Sequence, residues 1–303
     1  MVAEPAARAK RRDDLSAAAE ATRLLVAMGA AAGLTPEAVA RLSAAEQAEL
    51  LALLEDREKL LSQGTYYALF PDHDTLWTGP DTVVLRRNAL VHARSGYARH
   101  VEWFAAGAEY RERCLMAANR VGKSVAGAYE MAAHLTGQYP AWWAGRRFSR
   151  PVLAWACGKT TETARGIVQR HLLGDVVGLA NAAGEGSEAA RKGLDGRGVI
   201  PGHLIGPVTW RGGVADAVDT VLVRHVSGGW SRLGVKSYEQ GRSAYEGTAI
   251  DAIWMDEEPP LDVYGECLVR TTTTDGIIFL TFTPLAGISD VVRQFCGDAG
   301  MAA

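Results

Sequence analysis

The segment Cys114-Leu115-Met116-Ala117-Ala118-Asn119-Arg120-Val121-Gly122-Lys123-Ser124 constrains this 303-residue chain more than any other. It reads as a short apolar strand, a loop that closes on Gly-Lys-Ser, and a helix from Val125 to Leu135. Those residue types at a helix start are what an anion cradle requires. The backbone N–H groups of 119–124 and the helix N-terminus wrap a phosphate, and Gly122 permits close backbone approach. Lys123 places a point charge on the β/γ-phosphates, and Ser124 offers a hydroxyl to Mg²⁺. The P-loop pattern G-x-x-x-x-G-K-[ST] is met except that Ala117 replaces the first glycine. The expected phosphate loop is therefore Ala117, Ala118, Asn119, Arg120, Val121, Gly122, Lys123 and Ser124.

A second Gly-Lys-Thr, at 158–160, follows the apolar run Pro151–Cys157 directly. No loop residues separate strand from Gly-Lys, so it is not expected to be a phosphate loop. It is expected at the carboxyl end of a neighbouring strand, where ligands of such sheets gather, and a role there in sensing DNA or nucleotide stays open.

A phosphate loop needs a carboxylate on another strand to orient the metal. Ile250-Asp251-Ala252-Ile253-Trp254-Met255-Asp256-Glu257-Glu258-Pro259-Pro260 supplies one: an apolar strand that ends in consecutive acids and is stopped by Pro-Pro. Asp256 is expected to hold Mg²⁺ together with Ser124, and Glu257 to polarise the attacking water. A third apolar strand, Ile277–Phe282, leads into Thr283-Pro284. Its hydroxyls at Thr281 and Thr283 are placed to sense a γ-phosphate.

The rest of the chain fits an α/β fold. Short apolar runs at 113–117, 152–157, 220–225, 232–237, 250–255 and 277–282 alternate with helical segments at 122–137 and 160–173. Buried, non-alternating strands of this kind indicate a parallel sheet covered on both faces. Residues 174–218 are Gly-rich and weakly patterned, and read as a long insertion. Tyr97–Tyr110 reads as a helix. Before it, residues 1–63 read as a helical N-terminal arm: a basic start (Arg8, Lys10, Arg11, Arg12), a Thr35-Pro36 helix start, a Ser43/Glu46 capping box and a leucine stripe at 50, 51, 53, 54, 60 and 61. The domain division expected is 1–63 and 64–303. Net charge is −3 from 32 Lys and Arg against 35 Asp and Glu, so overall charge does not announce a nucleic-acid binder. Four widely spaced cysteines without C-x-x-C spacing give no disulfide framework or zinc motif. The apolar stretch Leu24–Leu34 is too short for a membrane span.

Taken together, Ala-Asn-Arg-Val-Gly-Lys-Ser (118–124), the strand ending Asp256-Glu257-Glu258-Pro259, and Thr281-Phe282-Thr283-Pro284 resemble the large terminase subunit of tailed bacteriophages, the DNA-packaging motor. Ser237-Tyr238-Glu239-Gln240-Gly241-Arg242 through Gly247-Thr248 adds to the similarity, which covers roughly residues 65–300. The resemblance implies a P-loop NTPase of the additional-strand (ASCE, RecA-like) class, with ATP as nucleotide, Mg²⁺ as cofactor, and hydrolysis coupled to packaging of double-stranded DNA into a procapsid. It implies a portal protein and a small terminase subunit as partners, a homo-oligomeric ring when working, and action in the host cytoplasm with no membrane contact. By resemblance Thr281 and Thr283 form the coupling motif, and Arg120 is the nucleotide-sensing catalytic arginine. Arg242 is held as a second arginine candidate, and Tyr97 and His100 lie in the base-binding region. The family usually continues into a nuclease domain. Residues 285–303 are too few for one, so the chain is expected to be an ATPase-domain fragment or a truncated or split gene product, and not to cut DNA. The rivals are a helicase-like nucleic-acid-dependent ATPase, which needs a second RecA-like domain, and a regulatory protein that binds nucleotide without turnover. Intact Lys123, Asp256 and Glu257 argue against the second.

The aromatic-basic stretch Pro140–Arg150 combines Trp142, Trp143 and Phe148 with Arg146, Arg147 and Arg150. It suits either nucleic-acid contact or aromatics tucked under a helix end.

Overall fold

The structure is a computed structural model that describes residues 35–62, 64–179, 191–285 and 287–296. The basic start of the chain and the stretch Leu24–Leu34 lie outside the described residues. The chain divides into two compact units, Met1–Gln63 and Gly64–Ala303.

In the first unit, Thr35 caps helix α1 (Pro36–Ala40) by accepting a hydrogen bond from the Ala38 N–H at 3.2 Å. Ser43 and Glu46 cap helix α2 (Ala44–Ser62) reciprocally. The Ser43 N–H donates to Glu46 Oε2 at 2.8 Å, and the Glu46 N–H donates to Ser43 Oγ at 3.4 Å. Val39 and Leu54 pack with the half-buried Leu50 and Leu51, while Leu53 of the same stripe faces water.

The second unit begins with helix α3 (Thr65–Ala68), a small hairpin β1 (Thr75–Leu76) and β2 (Leu90–Val91), and helix α4 (Ala98–Ala106). Helix α4 ends at Gly107, earlier than the sequence pattern suggests. Then comes the alternation that builds the core: β3 (Glu112–Met116), α5 (Lys123–Thr136), β4 (Leu153–Gly158), α6 (Thr161–Thr163), a π-helical stretch Ala164–Gln169, and α7 (Arg170–Leu173). A short hairpin, β5 (Val176–Leu179) and β6 (Arg191–Leu194), precedes β7 (Ile205–Trp210), β8 (Val218–Arg224) and β9 (Trp230–Ser237). The chain closes with β10 (Ala252–Asp256), α8 (Leu261–Thr272), β11 (Ile277–Phe282) and α9 (Asp290–Cys296).

Seven strands form one sheet in the order β3-β11-β10-β4-β9-β8-β7. The pairs β3/β11, β11/β10, β10/β4 and β4/β9 are parallel. All residues of β10 and β11 are buried, as strands covered on both faces must be. One apolar core, with Tyr129, Met131, Leu135, Leu172 and Trp254, fills the face under α5 and α7. A second, with Tyr245, Tyr264, Cys267, Leu280 and Phe282, fills the face under α8 and α9.

Two expectations need correction. The run at 220–225 is not a parallel strand: β8 pairs antiparallel with β9, Arg224 facing Trp230, while β9 is itself parallel to β4. The five residues 225–229 between them are a hairpin loop, closed by the His225 N–H donating to Gly229 O at 3.0 Å. A parallel crossover needs a dozen residues or more. Residues 174–218 are likewise more than a weakly patterned insertion, because β7 joins the main sheet as its edge strand. Gly206-Pro207 inside β7 hides it in the sequence, yet an edge strand tolerates proline because one side of its ladder is unpaired.

The aromatic-basic stretch packs inward. Trp143 and Phe148 are buried beside α5, Trp143 Nε1 donates to Arg146 O at 3.0 Å, and Arg146 pairs with Asp275.

Candidate nucleotide site

The phosphate loop and three strand ends converge on one cleft of about 1120 Å³. Its lining includes Asn119, Arg120, Gly122, Lys123 and Ser124 of the loop and helix start, Asp256, Glu257, Thr281 and Thr283 from the ends of β10 and β11, and Lys159, Thr160, His171 and Tyr238. The cleft lies at the carboxyl ends of β3, β11, β10 and β4. Non-sequential neighbours in the sheet open such a crevice.

The loop's backbone explains its sequence. Gly122 precedes α5 at φ +83°, a left-handed conformation that favours glycine. Arg120 is also left-handed, at φ +65°. Ala117 is not among the positive-φ residues, so its methyl costs no strain where the motif usually has glycine. Buried Lys123 donates from Nζ to Ala118 O at 2.6 Å and to Thr283 Oγ1 at 2.9 Å. Burial lowers its pKa and the Asp256 carboxylate opposes that. Thr283 Oγ1 also lies 2.9 Å from Ala117 O and 2.8 Å from Asn119 Oδ1, so the end of β11 is tied to the loop itself.

The acid strand is held as closely. Ser124 Oγ lies 2.9 Å and 3.1 Å from the two oxygens of Asp256, and Thr281 Oγ1 donates to Asp256 Oδ1 at 2.7 Å. Trp254 Nε1 donates to Thr281 Oγ1 at 2.7 Å and fixes that hydroxyl in turn. Burial pushes the Asp256 carboxyl up to about 6, although the hydrogen bonds from Thr281 and Ser124 and the Lys123 charge pull it down. A carboxylate and a hydroxyl in contact, both oxygen donors and short of positive charge, fit a small hard cation that takes its other ligands from water and phosphate oxygens.

Glu257 follows at φ +63°, a strained backbone for a residue with a Cβ. Two contacts impose it. Its N–H donates to Thr281 O at 2.9 Å, and buried Tyr238 places its hydroxyl 2.9 Å from Asp256 O and 3.1 Å from Glu257 O. Sequence reasoning assigns Tyr238 no role. Its only signal is membership of the segment 237–242, and nothing local shows that its hydroxyl reaches the end of β10.

Three other candidates, Tyr97, His100 and Arg242, lie outside the cleft lining. Tyr97 and His100 do not line the cleft. Tyr97 packs edge-on to Phe70, with ring centres 5.5 Å apart. His100 sits behind the loop, with Nε2 3.8 Å from where a Gly122 side chain would begin. Burial lowers its pKa, against a hydrogen bond to the Val121 backbone. Arg242 is also outside the cleft lining, its Nε and Nη2 3.1 Å and 3.0 Å from Glu266 Oε2. Arg120 is exposed at the cleft wall. Gly158-Lys159-Thr160 lies at the end of β4, and Lys159 and Thr160 line the cleft. Thr160 caps the next helix, and Gly158 is required there because a Cβ would come within 2.8 Å of Ala164 Cα.

A phosphate loop on β3, an acid-bearing β10, and one hydroxyl-bearing strand between them define a P-loop NTPase fold of the additional-strand class. Residues 114–300 match the family described as terminase large subunit, T4likevirus-type, N-terminal. The chain is 36% identical over 273 residues to the terminase large subunit of Salmonella phage P22, an alignment covering 84% of this chain and 47% of that protein. It belongs to the large terminase subunit family, and it spans about half the length of that curated relative. Among solved structures it is similar to a point mutant of the ATPase domain of the Thermus phage P74-26 large terminase, with TM-score 0.37 and 16% identity over 58% of this chain and 61% of that one. It is also similar to the large terminase of a thermophilic bacteriophage in complex with ADP, with TM-score 0.36 and 10% identity over 61% of this chain and 37% of that one.

Proposed function

We propose that this chain is an ATP-hydrolysing motor domain that drives double-stranded DNA into a procapsid. The observation that carries the reading is the bonded set Lys123, Ser124, Asp256, Thr281 and Thr283, drawn from three strand ends into one cleft. Family membership supports the packaging role, the portal protein and small terminase subunit as partners, and a ring as the working form.

The loop N–H groups of 119–124 cradle the phosphates, and Lys123 shifts its ammonium from Ala118 O to the β/γ-phosphates. Ser124 and Asp256 would hold Mg²⁺, which supplies charge neutralisation on the phosphate oxygens. Glu257 accepts the proton of the water that attacks the γ-phosphorus as the bond to the ADP oxygen breaks. Arg120, exposed at the cleft wall, is the cation for the developing charge on the transferred phosphoryl group, and Arg242 is the second candidate. His100, beside the loop, and Tyr97, with its ring 5.7 Å from that of His100, are assigned to the base. Thr283 bridges the Lys123 ammonium and the loop, so a change at the nucleotide reaches β11 through a hydroxyl already in contact.

Glu257→Gln keeps the shape of the side chain and removes the proton acceptor. It is expected to bind Mg-ATP like the wild type and to turn over roughly 10²–10⁴-fold more slowly. The same phenotype in Glu258→Gln, with Glu257→Gln unimpaired, overturns the assignment of the base.

A further inference from the structure

The face of the sheet that carries α8 and α9 is covered over β10 and β11 and left open at its antiparallel end. Along β9, Ser231, Leu233 and Val235 are buried, while the alternate residues Trp230 and Arg232 are exposed and Gly234 and Lys236 half-buried. Parallel pairing puts Leu153 beside Arg232, and antiparallel pairing puts Arg224 across from Trp230 on the same face. Leu153 and Trp230 are 41% and 44% exposed, which a finished core would not leave.

This open face is rich in cations. Arg224 stacks on Trp230, 5.1 Å from the ring centre. Lys236 lies 4.6 Å over Trp155 and donates to Ala244 O at 2.6 Å, with no carboxylate in ion-pair contact among the described residues and Asp219 acting on it only from farther away. Arg232 has no side-chain partner among the described residues. Beside it a polar hollow of about 280 Å³ is lined by Arg211, Arg232 and Lys236. Arg211 Nη2 donates to Val235 O and lies 3.7 Å from Asp219, and its buried Nε has no hydrogen-bond partner among the described residues. Asp219 and Glu246 are the acids of the hollow. A local surplus of positive charge on a chain of net charge −3, interleaved with exposed tryptophan, is complementary to a polyanion with stacking or apolar surface.

We propose that the phosphate backbone of double-stranded DNA lies on this open face, contacted by Arg211, Arg224, Arg232 and Lys236. The proposal rests on the motor reading above and adds the surface on which the motor grips its substrate. None of these four residues lines the nucleotide cleft. The β9 strand that carries two of them ends at Ser237, next to Tyr238 and its hydroxyl on the Glu257 backbone. A pull on the grip surface is thus one residue from the group that positions the base.

The test is duplex binding by the full chain, measured by fluorescence anisotropy on a labelled random-sequence duplex over a series of salt concentrations. Arg224→Gln with Arg232→Gln is compared with Arg86→Gln with Arg99→Gln, two exposed arginines elsewhere with the same change in charge. Removing one phosphate contact flattens the slope of log K against log salt by about 0.9, so the first pair should flatten it by about 1.8 and weaken binding roughly tenfold or more at 0.1 M salt. The control pair should leave the slope unchanged, and Arg224→Lys with Arg232→Lys should restore it. Equal slopes for both glutamine pairs, or a wild-type chain that does not bind duplex, overturn the proposal. So does a glutamine pair that binds DNA normally and loses association with a second copy, which would make the face a protein interface. Phosphate release in the same samples separates the two readings: an active wild-type enzyme with unchanged DNA binding in the variants removes this surface and leaves the motor assignment standing.

Discussion

Replacing Asp256 with asparagine should stabilise this protein while abolishing its Mg²⁺-dependent chemistry. Burial holds the Asp256 carboxyl at about 6 against an ordinary 3.8. At about 1.4 kcal/mol per tenfold in proton affinity, that gap corresponds to about 3 kcal/mol. The native state keeps the proton to higher pH than the unfolded chain does. The stability this contributes is full below about pH 3.8 and is lost as pH rises through about 6, leaving an ionised carboxylate that strains the fold at pH 8. Asparagine carries no charge and still accepts from Thr281 with Oδ1 while donating to Ser124 with Nδ2. The variant should therefore be more stable than wild type by about 1–3 kcal/mol at pH 8, after allowing for weaker hydrogen bonds, and the advantage should shrink by about 2 kcal/mol at pH 4.5. Urea unfolding in EDTA at the two pH values measures both. An advantage independent of pH, or an asparagine variant that loses stability relative to wild type as pH rises, refutes the reasoning that Asp256 is a charge the fold tolerates for the sake of a cation.

Tyr238→Phe removes the hydroxyl that meets the Asp256 and Glu257 carbonyls and keeps the ring in the core. It should lower kcat about tenfold with KM for ATP nearly unchanged, since it loosens the aim of Glu257 and touches no phosphate contact. Steady-state kinetics check this, and a rise in KM at constant kcat contradicts it. Glu130 is fully buried on α5, with Arg113 Nη1 at 3.2 Å and His134 Nε2 at 3.2 Å. Glu130→Gln should cost about 3–5 kcal/mol in urea unfolding, because it leaves the Arg113 guanidinium buried without its countercharge.

The parts of the site written in consecutive residues are legible in the sequence. The loop 117–124, the acids after β10 and the hydroxyls of β11 each occupy a strand end, so a few letters carry both the local structure and the chemistry. What links them is not legible, because each link spans distant positions. Ser124 meets Asp256, Lys123 meets Thr283, and Tyr238 meets Glu257 only once β11 has been inserted between β3 and β10. The left-handed backbones of Arg120 and Glu257 have no signal either, since neither residue type announces positive φ. The antiparallel end is hard to read for two separate reasons. The five-residue loop 225–229 carries no two-residue turn signature, and Pro207 suppresses the strand signal of β7.

Steady-state phosphate release from ATP in Mg²⁺, by wild type and Lys123→Ala side by side, measures whether this cleft hydrolyses the nucleotide. Lys123 bridges the loop carbonyl of Ala118 and Thr283 and is the only lysine in the loop. The wild type should release phosphate in a Mg²⁺-dependent manner, and Lys123→Ala should abolish that release with the folded content intact. Release at the wild-type rate by Lys123→Ala would show that the cleft built by Ser124, Asp256 and Thr281 is not where the nucleotide is hydrolysed.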